Sequence, residues 1–162
     1  PSAAPYPTSL RKPEEWKMKA INSMKLQFEG RSVNEAFSRT AVAAFVAQLD
    51  PTVEELSDVK TAVSEAVTNC IVHAYRDRLG IVYITANILP DHRVVIKVRD
   101  KGCGIPDIKK AMEPMYTTAP EEERAGLGFA VMQSLMDRVK VTSKEGKGTT
   151  VVLERDIRSK EA

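Results

Sequence analysis

Cysteine, tryptophan and long apolar runs are all scarce in this chain. Two cysteines, Cys70 and Cys103, and one tryptophan occur in 162 residues, and aromatics make up 6% of them. The spacing of the two cysteines is not that of a metal site. They read as reduced thiols of a cytoplasmic protein. No apolar run approaches the roughly 18 residues that a membrane helix needs, and the N-terminus has no apolar signal core. An excess of one charge is lacking too: 24 Lys and Arg stand against 22 Asp and Glu, a net of +2, interleaved along the chain. That balance gives no electrostatic footprint for direct nucleic-acid binding. There is also no Gly-x-x-x-x-Gly-Lys-Ser/Thr loop and no His-Arg-Asp triplet. A P-loop enzyme and an ordinary eukaryotic-type protein kinase are therefore excluded.

What remains is ordinary globular material, 43% apolar and 28% charged, of a length that one domain accommodates. Residues 1–23 hold Pro1, Pro5, Pro7 and Pro13 among small and charged residues, so they read as an added leader or a disordered extension. The folded domain is expected over 24–157, with 158–162 a tail. Leu26 and Phe28 alternate with polar residues, as in a strand. An apolar face at helical spacing predicts a helix over 34–49, which Asp50-Pro51 stops. Thr52 and Glu55 form a capping box for a second helix over 52–75. Strands follow at 81–89 and 93–99, joined by the hairpin turn Pro90-Asp91-His92. A short helix near 107–112, an unpatterned loop over 113–125, a helix over 126–136 and strands at 139–143 and 149–157 complete the chain. This order predicts an α/β sandwich, its sheet mixed but mostly antiparallel and covered by helices on one face.

The second helix carries Glu65, Asn69 and His73, four residues apart. At about 100° per residue, Asn69 falls about 40° and His73 about 80° from Glu65, at the edge of the apolar face. Asn is a poor helix former, and a solvated helix surface more often uses Lys and Glu there. Taken alone, the triplet is also compatible with satisfied polar groups at a core edge. Next comes Asp100-Lys101-Gly102-Cys103-Gly104, between a strand and a helix. Its glycines allow either a tight turn or close approach to a ligand. An ionised Asp is acceptor-only and suits an exocyclic amine such as that of adenine. Gly126-Leu127-Gly128 opens a helix, where bare backbone N–H groups attract phosphate. Together these parts are those needed to hold a nucleotide and act on its phosphate.

In this order the motifs resemble the Bergerat ATP-binding fold of gyrase and the histidine kinases, over 24–157. Within it, 42–51 (VAAFVAQLDP), 64–69 (SEAVTN) and Tyr116-Thr117-Thr118 are similar to the anti-sigma F factors of spore-forming bacteria, small serine kinases that hold a sigma factor. The anti-sigma B kinases of the stress response resemble the chain less closely. The resemblance implies ATP or ADP with Mg²⁺, the metal held by the Asn69 side-chain oxygen, and Glu65 as general base for a substrate serine. It implies that Asp100 takes the adenine amine, with Gly102 and Gly104 beneath the ring and Thr149 helping to hold it. Gly126, Leu127 and Gly128 would wrap the phosphates, with His73, Thr117, Thr118 and Arg124 as further nucleotide contacts. Glu35 and Arg39 would meet the partners: a sporulation sigma factor, and an anti-anti-sigma protein phosphorylated on serine. A homodimer is implied as well. The resembled family reads Thr-Thr-Lys-Pro and Arg-Ser-Gly where this chain has Ala119 and Ala125, so one lysine and one hydroxyl are missing from the loop. Ala74 stands where a glycine is common.

By this reading the chemistry is phosphoryl transfer through positioning and charge neutralisation. No phosphoacceptor or dimerising histidine helix precedes the motifs, so the substrate arrives in trans and a sensor histidine kinase is not expected. A second possibility is a nucleotide-gated binding module with little kinase activity. Glu35 and Arg39 by themselves form no more than an i,i+4 surface pair worth a few tenths of a kcal/mol, roughly 0.2–0.5.

Overall fold

Alternation with a period of two decides which side of the sheet is covered. The computed structural model describes residues 19–113 and 127–158. Strand β1 (Asn22–Glu29) leads into helices α1 (Val33–Val46) and α2 (Val53–Thr68), followed by β2 (Ile81–Ile88) and β3 (Arg93–Asp100). A short α3 (Ile108–Ala111), then α4 (Phe129–Leu135), β4 (Arg138–Lys144) and β5 (Gly148–Asp156) complete the order. Val82, Ile84, Ala86 and Ile88 of β2, with Val94, Ile96 and Val98 of β3, are buried on one face. Lys97 and Arg99 alternate with them and are exposed. The buried face joins Val59, Val63 and Val67 of α2 and Phe129 and Met132 of α4 in one core cluster. Each such aliphatic side chain contributes roughly 1.5–3 kcal/mol on burial.

The strands run in the order β1-β2-β3-β5-β4, and all four pairings are antiparallel. The expected mixed character is therefore absent among the described residues. Its cause is parity. A single crossover helix returns the chain for a parallel strand, whereas α1 and α2 form a two-helix connection that delivers β2 antiparallel to β1. No helix of the described residues is long and apolar enough to cross a membrane.

The capping box forms in both directions: Thr52 accepts from Glu55 N at 3.1 Å and Glu55 Oε1 accepts from Thr52 N at 2.9 Å. The far end of that helix differs from expectation. After Thr68 the chain widens into a π-helical turn over Asn69–Ala74, which the Tyr75 N–H closes on Cys70 O at 3.1 Å. Such turns recur at functional sites, because they re-aim side chains without ending the helix. Here the widened turn ends on two contacts that fix the neighbouring loop: Lys101 N donates to Tyr75 Oη (2.8 Å) and Cys103 N to Ala74 O (3.1 Å).

Candidate nucleotide site

The end of β3 projects Asp100 into the helix-covered side of the sheet, where it is only 5% exposed. Register pairs Asp100 with Thr149 on β5, and Thr149 in turn with Ser143 on β4. The Asp100 Oδ1 accepts from Gly102 N (2.9 Å) and Thr149 N (3.2 Å). Burial pushes its carboxyl above the usual carboxylate range, and those N–H donors, the Cys70 thiol and the Arg78 guanidinium oppose the rise. Two hydroxyls brace the same corner. Ser143 Oγ accepts from Ile105 N at 2.8 Å and lies 2.8 Å from Thr149 Oγ1. A Cβ on Gly102 would collide with the Ala74 carbonyl, so a side chain there would push the Asp100 turn off the π turn.

Above Asp100 lies a cavity of about 210 Å³, which Asn69, His73, Gly104, Leu127 and Thr149 help to line. Of the residues singled out from sequence, these and Asp100 are brought together at one wall. Gly102 is not on that wall; it is buried beneath it. Glu65, one turn of α2 before Asn69, and Gly128, between the lining residues Leu127 and Phe129, stand beside the cavity. Gly128 precedes α4 with a left-handed φ of 66°, and a Cβ there would collide with Glu65 Oε2. Thr117, Thr118, Arg124 and Gly126 lie outside the described residues.

The Asn69 amide nitrogen donates to Leu127 O at 2.6 Å, which leaves Oδ1 as the side chain's ligand atom. Among the described residues no group of three His, Cys, Asp or Glu side chains converges to hold a metal. One amide oxygen nevertheless fits Mg²⁺, which keeps several waters and is commonly shared with substrate phosphates. His73 lines the same cavity. Burial and then the nearby Arg76 charge lower its pKa, so at neutral pH the ring is uncharged. Among the described residues, the cation lining this cavity is Arg76, held at a left-handed φ of 47°.

Sequence reasoning missed Arg76, Ser143, Ile105 and Cys103 as wall or bracing residues. Only Cys103 carried a signal, since it sits inside the Asp-Gly-Gly turn. Ser143 depends on strand register, and Arg76 on a backbone angle unusual for its residue type.

Gly128→Ala gives a direct check of this geometry. The variant should lose about 1–2 kcal/mol, since a left-handed φ disfavours any Cβ. It should also displace the Glu65 carboxylate, which a Cβ at Gly128 would meet. A folded Gly128→Ala variant with parental thermal stability would show that this φ carries no such cost.

Glu35 and Arg39 lie elsewhere, on α1, paired at 3.5 Å. Arg39 borders a surface groove between α1 and α2 that shares no lining residue with the cavity above Asp100.

Residues 29–155 match the family described as Histidine kinase-like ATPase domain. An anti-sigma F factor of Caldanaerobacter subterraneus is 57% identical over 140 residues, covering 86% of this chain and 97% of the relative. One from Geobacillus kaustophilus is 55% identical over 142 residues, covering 87% and 97%. The fold is shared with a Mycobacterium tuberculosis protein carrying RsbU and RsbW domains, at a TM-score of 0.62 and 17% identity over 85% of this chain and 33% of that one. With relatives this similar over nearly their whole length, the chain belongs to the anti-sigma F factor family of histidine kinase-like ATPase domains.

Proposed function

We propose that this protein binds ATP with Mg²⁺, holds a sporulation sigma factor in an ATP-dependent manner, and phosphorylates a serine of the antagonist anti-anti-sigma protein. The observation that carries the reading is the nearly buried Asp100 carboxylate at the base of a cavity that Asn69 also lines, with Glu65 one turn away. A carboxylate buried that deeply needs hydrogen bonds, and an adenine amine supplies one from the cavity side. Asn69 Oδ1 would hold Mg²⁺, which supplies charge neutralisation at the phosphates. Glu65 would orient and accept the proton of the incoming serine hydroxyl. Gly104 and Thr149 would face the base, and Leu127–Gly128 would run beside the phosphates.

The names of the relatives support a sigma factor as partner, and the separate α1 surface gives it a place to bind without occupying the cavity. Arg39→Ala should therefore weaken capture of the sigma factor and of the anti-anti-sigma protein while leaving ATP affinity unchanged. Truncation leaves Glu35 Oε1, a buried atom without a hydrogen bond, lacking its ion-pair partner. Equal losses in both measurements would make Arg39 structural. The whole reading is tested by incubating the protein with the sigma factor and the serine-bearing antagonist, with ATP, ADP or no nucleotide. Phosphate on the antagonist serine and sigma capture favoured by ATP are expected. Sigma affinity identical in all three conditions, with no phosphate transferred, would overturn it.

A further inference from the structure

Three arginines stand around the Asp100 end of β3, and two of them are occupied within the fold. Arg78 donates from Nη2 to Lys101 O at 2.8 Å and lies 5.5 Å from the centre of the Tyr75 ring. Arg99 lies 5.0 Å from the Tyr83 ring, on the exposed side of the sheet. Arg76 lines the cavity instead. Its Nε donates back to His73 O at 3.3 Å, and its two Nη groups have no hydrogen bond or ion pair among the described residues. The backbone sets that direction. Arg76 takes its left-handed φ of 47° in a turn that Arg78 N closes on Tyr75 O at 2.9 Å. A residue with a Cβ adopts such a φ at a cost in free energy, which persists only where the surroundings impose it, often at ligand sites. Here buried Tyr75 imposes it, its hydroxyl accepting from Lys101 N and donating to Ile81 O. The carboxylate of the cavity does not use this cation, since the guanidinium that opposes the rise at Asp100 is that of Arg78. One wall thus sets an acceptor-only carboxylate, an amide oxygen and an unneutralised guanidinium around the same space.

We infer that Arg76 is a binding residue of the nucleotide site, its unpartnered guanidinium donors taking a phosphate oxygen of the bound adenine nucleotide. This deepens the nucleotide reading of the cavity and rests on it. A guanidinium offers planar, permanently charged donors that match phosphate oxygens, and its hydrogen bonds to an anion are charge-assisted. His73 cannot supply that charge at neutral pH, because burial and then Arg76 itself keep its ring neutral. The strained turn has a use on this account. An ordinary φ at residue 76 would aim the side chain elsewhere, and the cavity would lose the one cation that lines it among the described residues.

The test measures ADP and ATP binding by calorimetry on the full chain and on Arg76→Gln, which keeps the strained φ but removes the charge. The variant should bind both nucleotides roughly three- to tenfold more weakly at low salt, the scale of a charge pair that solvent reaches. Screening shortens from about 30 Å at 0.01 M salt to about 3 Å at 1 M, so the two affinities should converge as salt rises. Arg76→Lys keeps the charge and should recover most of the loss. Arg76→Asn suits a left-handed φ, so it should show the glutamine variant's loss with no fall in thermal midpoint, and it carries the test if Arg76→Gln does not fold. Parental affinity in the uncharged variant at low salt would overturn the inference, as would a loss that is the same at every salt concentration. A parent that binds neither nucleotide removes the nucleotide reading and the inference with it, whereas a parent and variant that bind equally well remove Arg76 alone.

Discussion

Glu65→Gln should reduce phosphate transfer to the partner serine by about 10²–10⁴-fold, the usual worth of a positioned general base. The substitution keeps the side chain's length and its fit beside Gly128, where a Cβ would already touch Oε2. What it removes is the capacity to accept a proton. Nucleotide affinity should stay at the parental value, because Glu65 stands beside the cavity above Asp100 rather than in its wall. Glu65→Asp is the companion variant. It retains the acid but withdraws it by one methylene, and a misplacement of that size costs on the order of 10²-fold. Single-turnover rates with the antagonist protein separate the two effects from binding. Transfer near the parental rate in Glu65→Gln would remove Glu65 from the chemistry.

The helix that bears Glu65 was legible from residues alone, because its start is chemically explicit. Thr52 and Glu55 announce the cap, and Val59, Ala62, Val63 and Ala66 repeat at helical spacing; the structure buries all four. Its end was not legible. A π turn over Asn69–Ala74 uses the same apolar residues as an α-helix, so periodicity cannot report the extra width. The 100° wheel therefore placed His73 correctly at the core edge but said nothing of Ala74 O, which the widened turn offers to Cys103 N.

The Asp-Gly-Gly turn could be read as a place where backbone and ligand approach closely. The reason for its first glycine could not, since Gly102 answers to the Ala74 carbonyl across the fold rather than to the cavity. Strand positions followed from alternation. The direction of β1 relative to β2 depended on counting crossover helices, and an overall impression of α/β layering does not do that. Ser143 and Thr149 became neighbours only once register was known. Local chemistry thus identified which residues matter, while long-range pairing decided which of them meet.

Asp100 brings these levels together and carries the second large effect. A hydrogen bond to a charged group contributes about 1.5–3 kcal/mol, so Asp100→Ala should weaken ATP and ADP alike by roughly 10–150-fold. Alanine also strands the Gly102 and Thr149 N–H groups that Oδ1 now satisfies. Asp100→Asn separates the two roles. Its oxygen can keep both backbone bonds while its NH2 faces the adenine amine, donor against donor. The Asn variant should therefore lose nucleotide with less loss of fold than the Ala variant. GTP should bind poorly to the parent, since a guanine carbonyl would oppose the carboxylate. Acid gives an independent readout. Burial raises the Asp100 pKa in the folded state, so the stability linked to its proton is present below the ordinary carboxylate range. That contribution is lost as pH rises through the elevated value. ATP needs the ionised form, and its binding should fade as pH drops through the same value. At Asp100, then, acid should favour the fold while it weakens the nucleotide. Calorimetry that found GTP bound as tightly as ATP, with an ATP affinity unchanged in Asp100→Asn, would remove Asp100 from adenine recognition.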